Sequence, residues 1–111
     1  MSDENLDLAK FHAETGMVQI GREYGDGING KLLSGLVSFC ICQEFLIQTQ
    51  YEIQFPFSKF DDLDITKFVS VSDVEHPEYK LLKKWPESKK RQCLDQLSYF
   101  FERVGNLELS Q

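Results

Sequence analysis

The sequence predicts an α+β domain: a small antiparallel sheet packed by an N-terminal and a C-terminal helix. Three observations carry that expectation. Ile47, Thr49, Tyr51, Ile53, Phe55 and Phe57 alternate with Gln48, Gln50, Glu52 and Gln54, the period-two pattern of a strand with one wet face. Leu6, Ala9, Ala13, Met17 and Ile20 recur at spacings of three and four, which is helical. Cys93, Leu94, Leu97, Phe100, Phe101 and Val104 form one broad apolar stripe near the C-terminus, the mark of a helix lying on a core. An all-α domain is the alternative, and it follows if Lys31–Ile47 is one long helix.

In chain order, Ser2 with Asp3 and Glu4 reads as a helix start, with acids where the helix dipole favours them. The first helix is expected over Asp3–Thr15. It either crosses Gly16 or gives way to a strand at Met17–Glu23. Gly25-Asp26-Gly27-Ile28-Asn29-Gly30 reads as a loop, because three glycines and an Asn supply positive-φ positions. Lys31–Ile47 reads two ways. Leu32, Leu33, Leu36, Val37 and Cys40 fit a helix face, whereas Val37, Phe39 and Ile41 fit strand alternation; the first half leans to helix.

Pro56 then marks a strand end or a sheet edge. Asp61, Asp62 and Asp64 suit a turn or short helix over Phe60–Phe68, and Thr66–Val71 could add a second strand. Pro77-Glu78 opens a short helix to Lys84, since proline suits the first helical position. Pro86 and Glu87 open the last helix, expected over Glu87–Val104, and Gly105-Asn106 closes it.

Composition bounds the class. At 111 residues, one domain spanning 1–111 is expected. Hydrophobic residues make up 41%, with nine Phe, and 27% are charged; disordered chains lack that aromatic content. The N-terminus is acidic rather than basic and apolar, unlike a signal peptide. The apolar stretch Leu32–Ile47 is broken by Ser34, Ser38, Gln43 and Glu44, short of the roughly 20 apolar residues a membrane helix needs. Cys40, Cys42 and Cys93 cannot all pair within one chain, and reduced thiols fit a cytosolic compartment. A cytoplasmic location without membrane attachment is therefore expected.

Gly25–Lys31 matches the G-x-x-x-x-G-K frame of a phosphate loop. Leu32 occupies the position where that loop needs Ser or Thr for magnesium, so a simple turn accounts for the pattern. Asp62-Leu63-Asp64-Ile65-Thr66 begins like a calcium loop. Lys67 then stands where glycine is needed, and Asp73 where a glutamate is needed. Cys40-Ile41-Cys42 has the wrong spacing for a zinc knuckle. Gly35-Leu36-Val37-Ser38-Phe39 lacks the second glycine of a nucleophile elbow. His12 and His76 carry no ligand spacing. Neither a metal nor another cofactor is expected, and no residue is assigned a catalytic role.

Charge is distributed unevenly. Residues 1–79 hold 14 acids and 5 bases, residues 80–91 hold 6 bases and 1 acid, and residues 92–111 hold 3 acids and 1 base, for a net charge of −6. Asp61, Asp62, Asp64, Asp73, Glu75 and Glu78 are the densest acidic face. It suits steering toward a basic partner, as in inhibitors that present carboxylates where a nuclease or other nucleic-acid-binding enzyme expects phosphates.

The expected function is thus a small acidic inhibitor or neutraliser of a basic protein, of the toxin-immunity or phage anti-defence kind, and not an enzyme. Two alternatives stand beside it. One is a regulatory or structural subunit that self-associates into a homo-oligomer through Phe55, Phe57, Phe60 and Trp85. The other is nucleic-acid binding through Lys80, Lys83, Lys84, Lys89, Lys90 and Arg91, with Tyr79 and Trp85 available to stack on bases.

Overall fold

The computed structural model describes residues 3–22, 27–53 and 77–108. They form four helices: α1 (Asp3–Ile20), α2 (Gly27–Leu46), α3 (Pro77–Lys84) and α4 (Glu87–Gly105). Helices α1, α2 and α4 each pack against the other two, and α3 packs on α2. No strand occurs among the described residues, so the α+β expectation is overturned in favour of the all-α alternative.

The correction has a local cause at Ile47. The backbone N–H groups of Ile47, Gln48 and Thr49 donate to Gln43, Phe45 and Leu46 at 3.0–3.1 Å. These bonds continue and close α2 rather than joining a ladder. The Thr49 hydroxyl then donates to the Leu46 carbonyl at 2.6 Å and accepts the Tyr51 N–H at 3.1 Å, which turns the chain. Ile47 is 73% exposed while Ile53 is buried; on one strand face they would share an environment. Gln54–Phe57 and the second expected strand, Thr66–Val71, lie outside the described residues.

Helix α1 runs past Thr15 because its inward face is built on Leu6, Ala9, Ala13, Gly16 and Ile20. Gly16, rather than Met17, holds the inward position, and Met17 is exposed. The small residues let α4 come close: a Cβ added at Gly16 would lie 2.5 Å from two atoms of the Phe101 ring. Gly35 of α2 does the same, where a Cβ would lie 2.9 Å from Ile20 Cγ2 and 3.0 Å from Leu97 Cδ1. Glycine weakens an isolated helix, and here two of them mark where three helices approach one another.

Helix α2 is the central element. Leu32, Gly35, Leu36, Ser38, Phe39, Cys40, Cys42 and Leu46 are buried, so the helix is covered on most of its circumference. The expected loop over Gly25–Gly30 is corrected for its described part: Gly27–Gly30 form the first turn of α2, and only Gly27 has a left-handed φ, of 59°. The phosphate-loop lysine, Lys31, consequently sits inside a helix.

The core is completed by Phe39 and Phe100, edge to face at 4.7 Å, and by Tyr79, Leu82 and Trp85 at the α3 end. Two polar contacts fix the α1–α2 register. The Ser38 hydroxyl donates to Gln19 Oε1 at 3.0 Å, and the Cys42 thiol donates to the Ala9 carbonyl at 3.2 Å. After α4, the Lys10 ammonium donates to the Leu107 carbonyl and the Tyr51 hydroxyl donates to the Glu108 carbonyl, tying the chain back onto α1 and the segment after α2.

Candidate functional site

The cations converge where α3 meets α4. Only Trp85 and Pro86 separate the two helices, so the last turn of α3 and the first turns of α4 share one corner. Lys80, Lys83, Lys84 and Arg91 are exposed there, and Lys89 is half-buried. Two ammonium groups are held by rings: Lys83 Nζ lies 4.9 Å from the Tyr79 centroid and Lys89 Nζ 4.3 Å from the Trp85 centroid. Such contacts contribute roughly 0.5–1 kcal/mol at exposed sites. For Lys89, in the first turn of α4, the contact offsets an unfavourable placement near the positive end of the helix dipole, whereas Lys83, in the last turn of α3, lies at the favourable negative end. Glu87, in the favourable first turn, pairs with Arg91 at 3.2 Å.

Two sequence expectations for this patch are corrected. Lys90 is only 8% exposed, because it continues the inward stripe of Cys93 and Leu97, so it does not join the surface patch. Tyr79 and Trp85 are both buried, Trp85 at 6% exposure. Their rings line the core and support lysines, which leaves neither free to stack on a base, nor Trp85 free to drive self-association.

Of the acidic face, Asp61, Asp62, Asp64, Asp73 and Glu75 lie outside the described residues, as do Phe55, Phe57 and Phe60. Glu78 is in the first turn of α3 and half-buried. Away from the corner, Glu4, Asp7, Glu14, Glu44, Asp95 and Glu102 are exposed and in no ion pair among the described residues. The cations on that side are partly engaged: Lys10 bonds a carbonyl, and Arg103 lies on Tyr99 with a 3.2 Å bond to its hydroxyl.

The thiols are core groups. Burial pushes Cys42 up to about 12. It does the same to Cys93, about 12, against the pull of the Lys89 ammonium in the other direction. At neutral pH both are held as thiols, poor nucleophiles and poor ligands. His12 is stacked on Phe45 with ring centroids at 5.7 Å and edge-on to Phe11 at 5.3 Å. Burial lowers its pKa below the ordinary 6.5. No group of three His, Cys, Asp or Glu side chains among the described residues is placed to hold a metal ion, and no helix there is long and apolar enough to cross a membrane.

Sequence reading missed one surface feature. Phe11 and Val18 are seven residues apart on α1, opposite its inward face, and are 59% and 52% exposed. With Glu14, Thr15, Gln19 and Arg22 they line a shallow groove of about 310 Å³. The signal was present: Phe11 and Val18 fall off the Leu6–Ala9–Ala13 stripe. No family model, curated protein or solved structure matches this chain.

Proposed function

We propose that this chain is a binding protein that neutralises a basic protein partner by electrostatic occlusion, of the kind that protects a cell or a phage from a nuclease or another nucleic-acid-binding enzyme. The observation that carries the reading is the segregation of charge. Four of the six exposed cations among the described residues, Lys80, Lys83, Lys84 and Arg91, are at the α3–α4 corner, and Glu4, Asp7, Glu14, Glu44, Asp95 and Glu102, exposed away from it, have no ion-pair partner among the described residues. Carboxylates without an ion-pair partner among the described residues can pair across an interface, where they accelerate encounter and select a cationic surface. Three free cysteines fit a reducing compartment, so the reading places the protein in the cytoplasm.

The test is an affinity column carrying the full chain, loaded with host extract at low salt and developed with a salt gradient. A parallel column carries the Glu4→Lys, Asp7→Lys, Glu44→Lys variant. All three side chains are exposed, so the fold should tolerate the change. Basic proteins retained by the first column and lost from the second are expected. Equal retention on both, or no basic protein retained, overturns the reading.

A second reading, nucleic-acid binding, is favoured by the aromatic-supported lysines alone. With Tyr79 and Trp85 buried, it reduces to phosphate contact without base stacking. Replacing Lys80, Lys83, Lys84 and Lys89 by Gln should then remove retention of single-stranded DNA at low salt; unchanged retention eliminates it.

A further inference from the structure

We draw no further inference here: the strongest candidate, the exposed outer face of α1 around Phe11 and Val18, carries nothing, because nothing in the structure shows what covers it.

Discussion

Gly16→Ala tests the packing argument most directly. The added methyl carbon would sit 2.5 Å from Cε2 and Cζ of Phe101 and 3.0 Å from Cδ2. Phe101 is buried, and its ring also packs on Phe100 with centroids 5.9 Å apart. A rigid ring in a filled core cannot withdraw as a flexible chain end can, so α1 and α4 must separate or the ring must leave its rotamer. Overpacking of this kind costs about 1–3 kcal/mol. Alanine returns about 0.8–1.0 kcal/mol of helix propensity. For a clash with three ring atoms the cost lies in the upper half of its range, so the net loss is about 1–2 kcal/mol.

For a domain of this size that lowers the melting temperature by roughly 4–8 °C, readable by circular dichroism. Gly35→Ala supplies the comparison. Its neighbours, Ile20 Cγ2 and Leu97 Cδ1, are single methyl groups at 2.9 and 3.0 Å rather than a ring edge at 2.5 Å, so the net loss should be smaller than at Gly16. In a double-mutant cycle, Phe101→Leu should relieve part of the Gly16→Ala cost, with a coupling above about 0.5 kcal/mol. A Gly16→Ala protein that melts at or above the wild type would refute the close approach of α1 and α4 at this point.

Two further expectations concern pH. Cys42 and Cys93 are raised in the fold from an ordinary 9.0 to about 12. The unfolded chain therefore ionises its thiols first, and stability present below pH 9 should fall as pH rises from about 9 toward about 12; urea midpoints of Cys42→Ala and Cys93→Ala should each show a shallower slope there. Native protein at pH 8 should react slowly with a thiol reagent at all three cysteines, and fully once unfolded. His12 has the opposite sign: its folded pKa is depressed, so stability is complete above 6.5 and is lost as pH falls through the folded value. Replacing His12 with Phe should flatten that acid limb; an unchanged limb would show that the imidazole between Phe11 and Phe45 is not its source.

The features legible in the sequence were those that depend on near neighbours. Pro77, Pro86, Glu87 and the Gly105-Asn106 stop fixed the limits of α3 and α4 within a residue, because start and stop signals act on the first and last turns alone. The inward stripe of α4 was readable because one side is apolar and the other charged. The unevenness of charge was likewise present in order of residues, and the two-residue link between α3 and α4 made the cationic corner follow from it.

Tertiary structure alone decided the rest. Helix α2 is surrounded by α1, α3 and α4 and is apolar on most sides, so neither period stands out, and Val37, Phe39 and Ile41 mimic a strand. Gly16 and Gly35 look like interruptions until Phe101 and Leu97 are seen to occupy the space their side chains would fill. Lys90 reads as one more surface cation until the α4 stripe turns it inward, and Tyr79 and Trp85 read as exposed stacking groups until the core closes over them. The alternation from Ile47 onward was a true pattern without a partner strand among the described residues, and its first residues were claimed by the closing turns of α2. A backbone adopts the conformation whose hydrogen bonds and buried surface the whole fold can complete, and residues distant in sequence decide which one that is.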